Sequence, residues 1–125
     1  MTEILSIKQF DCFNTLTKVD RLNHLISFHN DLMPHQVAIA TGCGVYEAMG
    51  LLLYLSSLSL VKPKLLVYHM NDLIDPPNYI LSRDAELGFP DLPLICDECG
   101  EEIESYDDLR FEFSFILNEK IVFGL

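Results

Sequence analysis

The chain has 125 residues, 50% of them hydrophobic, and 19 acidic residues against eight lysines and arginines give it a net charge of −11. Its length and hydrophobic content are those of one compact domain or of two very small units sharing a core, and they exclude a disordered chain. No apolar run reaches the roughly 18 residues of a membrane span, so we expect no transmembrane helix.

The negative charge is concentrated in the second half of the chain. Residues 1–72 contain six acids and five bases, a net charge of −1, whereas residues 73–125 contain thirteen acids and three bases, a net charge of −10. Such a half repels phosphate backbones and attracts basic protein surfaces. The alternative is a solvated acidic face that only keeps the protein soluble.

The first residues and the cysteines bear on the cellular compartment. The start, Met1-Thr2-Glu3, lacks the basic residues of a signal peptide, and we therefore expect a cytoplasmic location. In that compartment the four cysteines are expected to be reduced thiols or metal ligands rather than a disulfide framework.

Three helices are predicted in the first half. Asp20 can cap the first helix, whose apolar residues fall near helical spacing at Leu22, Leu25, Ile26, Leu32 and Met33. Pro34 suits the first turn of a second helix, Pro34–Thr41, and Gly42 permits the left-handed turn that ends it. Gly44 then opens a third helix, from Val45 to about Leu58.

The second half is predicted to be rich in β-strands. Leu65–Met70 follows the helices as a wing strand would, and the polar, proline-containing connector Asp72–Pro77 is the predicted boundary. Residues 1–72 would form a winged-helix unit, and residues 73–125 an acidic β-rich unit packed on it as one compact domain. Further strands are predicted at Tyr79–Leu81, Leu92–Cys96, Phe111–Leu117 and Ile121–Phe123.

The strand Phe111–Leu117 has the clearest pattern in the chain. Phe111, Phe113 and Phe115 alternate with more polar residues, which predicts an aromatic face turned towards a core.

Residues 19–70 resemble the winged helix-turn-helix superfamily. The resemblance lies in the helix order, the four-residue spacing of Ala38 and Gly42 where the last two helices cross, and the β segment that follows. It implies an α+β fold, in which a three-helix winged helix-turn-helix precedes a small β-hairpin or sheet that carries a CxxC knuckle.

The third helix lacks the donors that a DNA-reading helix needs. Residues 45–58 contain no lysine or arginine, and Glu47 would lie near phosphates. The segment is apolar on nearly every side, which predicts burial on every face, against the β half or against a partner. The predicted apolar contact residues are Tyr46, Leu52, Leu53 and Tyr54. If the protein binds DNA instead, Lys62 and Lys64 would contact phosphates, weakly and with strong salt dependence.

The segment Cys96-Asp97-Glu98-Cys99-Gly100 resembles one knuckle of a zinc ribbon. Two thiolates on a tight turn can face one ion, but no second cysteine pair follows Cys99. A third ligand would come from the first half, either His69 on the wing strand or Cys43 in the helix-turn-helix turn. If the site holds a metal, the predicted cofactor is a structural zinc ion; otherwise no cofactor is predicted.

Two other interpretations of the cysteine pair stay open. One is a metal-free knuckle held by its own hydrogen bonds. The other, less favoured, is a redox site, because four nearby acids are expected to raise the thiol pKa values and suppress the thiolate. These acids are Asp97, Glu98, Glu101 and Glu102.

A winged helix followed by a cysteine knuckle is similar in layout to the amino-terminal part of the alpha subunit of the general transcription factor E family. It also resembles small winged-helix modules of prokaryotic multi-component systems, some of them antiviral defence systems. The resemblance is one of architecture, and only Cys96 and Cys99 match a motif. It implies no catalytic residues.

The sequence favours a non-catalytic interaction subunit or adaptor of a larger prokaryotic-type assembly. No acid, base and nucleophile converge in the sequence, so we expect no enzyme activity. A protein partner or a second copy of the chain is expected, and nucleic acid is not. The predicted electrostatic contacts are Glu101, Glu102, Asp107 and Asp108. The alternatives are a winged-helix transcriptional regulator and an acidic DNA mimic that occupies a basic site on another protein.

Overall fold

A computed structural model describes residues 2–70 and 77–125. Within these ranges the chain forms three α-helices and eight β-strands, which confirms the mixed α+β class. The elements follow the order β1 (Thr2–Ser6), α1 (Leu16–Phe28), β2 (Asp31–Leu32), α2 (Pro34–Thr41), α3 (Val45–Ser57), β3 (Val61–His69), β4 (Asn78–Asp84), β5 (Leu94–Ile95), β6 (Glu102–Ile103), β7 (Leu109–Leu117) and β8 (Lys120–Gly124). The predicted connector lies outside the described residues, apart from Pro77.

The chain divides into two compact units. Residues 1–62 and 114–125 form what we call the helical unit, and residues 63–113 form the acidic unit. The acidic unit contains thirteen acids and three bases, so it carries −10 of the net charge of −11. The predicted division after residue 72 differs from this one, because residues 114–125 return to the helical unit.

The strands form three sheets among the described residues. β1 and β8 pair in parallel, with Ile4 opposite Val122, and β5 and β6 form an antiparallel pair. The remaining four strands have the order β2-β7-β3-β4. On α1, the Asn23 side chain donates to the carbonyl of Phe123 (3.0 Å) and accepts from its N–H (2.7 Å), which ties the helix to β8.

The helix boundaries agree with local sequence signals except at α1. Thr15 caps α1 by accepting from the Lys18 N–H at 3.3 Å, so the helix begins before the predicted cap at Asp20. The helix also ends earlier than predicted, because residues 31 and 32 pair with β7. Pro34 starts α2, and Gly42 ends it with a left-handed φ of 74°.

Helix α3 buries one face and exposes the other. Its buried side chains are Ala48, Leu51, Leu52 and Leu55, which join the core of the helical unit. Tyr46 is 92% exposed, so the described part of the chain does not cover the outer face of this helix, and its burial against a partner stays a prediction. In the described part of the chain no single helix has the length and apolar content to span a membrane, although α2 and α3, bent by 117°, meet that test together.

Strand β7 does not present one aromatic face to one core. Phe111 packs against the core of the acidic unit and Phe115 belongs to that of the helical unit, whereas Phe113 between them is 42% exposed. Ser114 is buried instead and donates to the Asp31 carboxylate at 3.1 Å. The strand runs from one unit into the other, so the predicted alternation does not describe its burial.

A disulfide joins Cys12 and Cys43, contrary to the expectation of four reduced cysteines or metal ligands. It ties the segment before α1 to the turn between α2 and α3. Lys18 supports the same junction, since its Nζ donates to the Cys12 carbonyl at 2.7 Å and lies 3.6 Å from the Cys43 sulfur.

We expect the double variant Cys12→Ser/Cys43→Ser to lower the free energy of unfolding. The disulfide closes a loop with a sequence separation of 31. Losing a cross-link over that length costs about 3–4 kcal/mol through the entropy of the unfolded chain. Urea unfolding followed by circular dichroism, with and without reductant, measures the change.

The matched control for the disulfide is Cys96→Ser/Cys99→Ser, which removes the other two thiols. The unfolding midpoint of its helical unit, which contains Cys12 and Cys43, should still fall on adding reductant, as in the wild type, whereas that of Cys12→Ser/Cys43→Ser should no longer respond. Equal midpoints for oxidised and reduced wild-type protein would contradict a stabilising cross-link.

Candidate metal centre

Three potential metal ligands of the acidic unit converge at one point. His69 is the last residue of β3, Cys96 directly follows β5, and Cys99 lies just before β6. The pairing of β5 with β6 brings the two ends of the cysteine segment together. His69 and Cys96 are buried, and Cys99 is exposed.

The cysteine segment is a tight turn held by its own backbone. The Gly100 N–H donates to the Cys96 carbonyl at 2.7 Å, and the Cys96 N–H donates to the Glu101 carbonyl at 2.9 Å. Gly100 has a φ of 76°, a left-handed conformation that favours glycine. The turn therefore brings the two sulfur atoms to one side of the segment, as the predicted knuckle requires.

The donor atoms fit a single ion. The nearest ligand atoms of His69, Cys96 and Cys99 all lie within 4.8 Å of one another, and the Cys99 sulfur is 3.4 Å from Nδ1 of His69. Tetrahedral zinc bonds of about 2.3 Å to sulfur and 2.0–2.1 Å to nitrogen require a sulfur–nitrogen separation of roughly 3.5 Å. These three side chains are close enough to hold a metal ion.

Two further side chains support the ligands from outside. The Asn78 amide donates to the Cys96 sulfur at 3.7 Å, from the position on β4 that pairs with His69. The Glu101 carboxylate lies 3.6 Å from Nε2 of His69, behind the ring nitrogen that faces away from Cys99. A carboxylate in that position orients a metal-binding histidine and fixes its tautomer.

The two thiols differ in acidity. Burial acts to raise the pKa of Cys96, but hydrogen bonds from the Cys99 backbone and the His69 side chain outweigh it and lower the pKa to about 7. At Cys99 the Glu101 backbone N–H acts to lower the pKa, yet partial loss of hydration and the neighbouring Cys96 outweigh it and raise the pKa. The expected rise at both thiols is therefore wrong at Cys96, which supplies a thiolate near neutral pH.

The structure brings His69, but not Cys43, to the cysteine pair. Cys43 is bonded to Cys12, so its sulfur is not a ligand. Asn78 was not foreseen, because nothing in its local sequence marks it. Glu101 is predicted as a partner contact and as one of the acids near the thiols, and its place next to His69 results from the β5–β6 turn.

The predicted apolar contact residues are divided by the structure. Tyr46 and Leu53 are exposed on α3, at 92% and 54%. Leu52 is fully buried in the core, so it is excluded as a surface contact. Tyr54 is half-buried, with its ring packed edge-on against Phe10 at 5.2 Å between centroids.

The predicted charged contact residues lie at the surface. Glu101, Glu102, Asp107 and Asp108 are all exposed. Of the two lysines in the DNA-binding alternative, Lys64 forms an ion pair with Asp84, and Lys62 is exposed at the start of β3.

Comparisons with protein-family models, with curated proteins and with solved structures found no match to this chain. Its function must therefore be argued from its own residues.

We expect Glu101→Gln to weaken zinc binding by about 10–100-fold, because losing the partner of a metal-binding histidine commonly has an effect of this size. Competition with a chromophoric chelator measures the affinity. The matched control is Glu102→Gln, which removes an adjacent exposed carboxylate that is not seen next to His69. Equal losses of zinc affinity in the two variants would show that the removal of a negative charge, and not the orientation of His69, causes the effect.

Proposed function

We propose that this protein is a non-catalytic interaction subunit or adaptor of a larger assembly, and that zinc holds its acidic unit together. The observation that carries the interaction role is the exposed apolar face of α3. In the winged-helix interpretation, that face corresponds to the one with which a DNA-binding protein presents donors to bases.

The exposed face of α3 has the spacing of a contact stripe. Tyr46 and Leu53 stand seven residues apart, two helical turns, and Val45 is also 52% exposed. The opposite face is already used by the core of the helical unit. Apolar side chains that remain exposed on an ordered helix gain stability when a partner covers them.

The order of elements supports the winged-helix interpretation. Helices α2 and α3 pack together in the helical unit and are joined by the short turn Gly42–Gly44, and the antiparallel strands β3 and β4 follow as a wing would. The layout resembles small modules of prokaryotic assemblies such as antiviral defence systems. A second copy of the chain is an alternative partner.

A structural role suits the metal centre. Two ligands, His69 and Cys96, are buried, and the surrounding core of the acidic unit is small. In the described part of this unit the buried hydrophobic residues of the core are Leu65, Val67, Cys96, Ile103 and Leu109. A core of that size rarely stabilises a unit of about 50 residues without a cross-link or a metal ion. Zinc, which favours sulfur and imidazole ligands, fits this donor set.

The two nucleic-acid alternatives are less favoured. A DNA-binding regulator would use Lys64 on phosphate, but that side chain already pairs with Asp84. A DNA mimic would act through Glu101, Glu102, Asp107 and Asp108 alone, and it gives no role to the exposed face of α3.

We expect the purified protein to hold about one zinc ion per chain, and the variant Cys96→Ser/Cys99→Ser to hold none. Removing zinc should unfold the acidic unit while the helical unit persists, which hydrogen exchange read by mass spectrometry resolves for residues 63–113. The control is Cys12→Ser/Cys43→Ser, which should keep its zinc. Full protection of residues 63–113 in metal-free protein would contradict a structural ion.

We expect Tyr46→Asp/Leu53→Asp to abolish partner binding without unfolding the protein, because both side chains are exposed. The measurement is capture from the native host after nuclease treatment, with circular dichroism as the folding check. The matched control is Leu16→Asp, since Leu16 is 72% exposed and an acid in the first turn of α1 is well tolerated. Recovery of nucleic acid before nuclease treatment, with no protein partner after it, would favour the regulator.

A further inference from the structure

Three aromatic rings in the acidic unit form an exposed cluster outside the metal centre. Phe89 lies 4.6 Å from Phe111 and 5.8 Å from Tyr106 between ring centroids, and Tyr106 lies 6.3 Å from Phe111. We call these residues the aromatic cluster. The Tyr106 hydroxyl donates to the Pro90 carbonyl at 2.8 Å, which fixes the direction of its ring.

The cluster extends beyond the core that it covers. Phe111 packs against the core of the acidic unit, so its role there is partly structural. Phe89, in contrast, is 61% exposed and Tyr106 is 44% exposed. Several large aromatic surfaces that touch one another and still face solvent are typical of a binding surface rather than of scattered surface residues.

The charge around the cluster selects the chemistry of its partner. Residues 83–112, which include all three rings, contain eleven acids and two bases, and one of these bases, Arg110, pairs with Glu112. Asp91 follows the Phe89–Pro90 pair, Asp107 and Asp108 follow Tyr106, and all three carboxylates are exposed. A nucleic acid, whose bases also stack on aromatic rings, would bring phosphates into this negative field.

We infer that the aromatic cluster binds an arginine-containing segment of a protein partner. Guanidinium groups stack on Phe89, Tyr106 and Phe111, and the carboxylates of Asp91, Asp107 and Asp108 neutralise them. Arginine fits better than lysine, because its planar group stacks on a ring face and is less strongly hydrated than an ammonium group. This inference rests on the proposed interaction role and specifies the chemistry of one of its surfaces.

The test compares two fluorescein-labelled peptides, nona-arginine and nona-lysine, binding to the purified full chain at physiological salt. Both are attracted by the charge of the acidic unit, so the ratio of their affinities isolates the contribution of the rings. Fluorescence anisotropy should give a dissociation constant about tenfold lower for nona-arginine than for nona-lysine. The ratio should persist as salt weakens both interactions.

The variant Phe89→Leu/Tyr106→Leu keeps apolar volume but removes two ring faces. It should bind nona-arginine about as weakly as nona-lysine, and its affinity for nona-lysine should not change. Tyr106→Phe, which keeps the ring, should preserve the preference for arginine. The matched control is Tyr79→Leu, because Tyr79 is a 53% exposed tyrosine of the same unit that lies outside the cluster. Asp107→Asn/Asp108→Asn should weaken the binding of both peptides and leave the ratio of their affinities unchanged.

Equal affinities of the wild type for the two peptides would overturn the inference, as would a preference that survives Phe89→Leu/Tyr106→Leu. Tighter binding of a single-stranded oligonucleotide than of nona-arginine would also overturn it. The assay uses purified protein, and none of its variants changes a side chain of α3. Its failure is therefore distinguishable from failure of the capture experiment with Tyr46→Asp/Leu53→Asp.

Discussion

The acidic unit faces the most severe physical constraint in this protein: many like charges over a small core. Thirteen acids and three bases occupy residues 63–113, and among the described residues of this unit five hydrophobic side chains are buried in the core. Mutual repulsion of the carboxylates opposes a compact state, and so little buried apolar surface offsets it only weakly. A metal ion between β3 and the β5–β6 turn would link two parts of this unit that are far apart in the chain. The meeting of His69, Cys96 and Cys99 is the place in this unit where the described residues could hold such an ion.

The helical unit is stabilised by a larger core, a disulfide bond and hydrogen bonds. Its charge is nearly balanced, and its core draws side chains from all three helices and from β7 and β8. A disulfide bond joins Cys12 to Cys43, and the Asn23 side chain forms hydrogen bonds with both backbone groups of Phe123. Because these ties fix the position of α3, its outer face is presented on an ordered scaffold, as a recognition surface must be.

The two proposed contact surfaces differ in chemistry, and this difference suits an adaptor. The face of α3 around Tyr46 and Leu53 is apolar and carries no base, so its partner surface should be apolar as well. The aromatic cluster lies within a strongly negative segment, so its partner should be cationic. Long-range attraction by the acidic unit would speed the encounter with a basic protein, whereas the apolar and stacked contacts would set how long the complex lasts.

The sequence by itself determined the features that rest on local signals. Proline and glycine at fixed positions marked α2 and the start of α3, the spacing of Cys96 and Cys99 marked the knuckle, and composition marked the acidic half. Only the tertiary structure decided which distant residues meet. His69, and not Cys43, lies beside the knuckle, and Glu101 lies next to His69. Cys43 is bonded to Cys12, and β1 pairs with β8. It also decided that Leu52 is enclosed and Tyr46 exposed on a helix that is apolar on nearly every side. The reason is physical, because local conformation follows from neighbouring residues, whereas pairing and burial depend on which elements pack together across the whole chain.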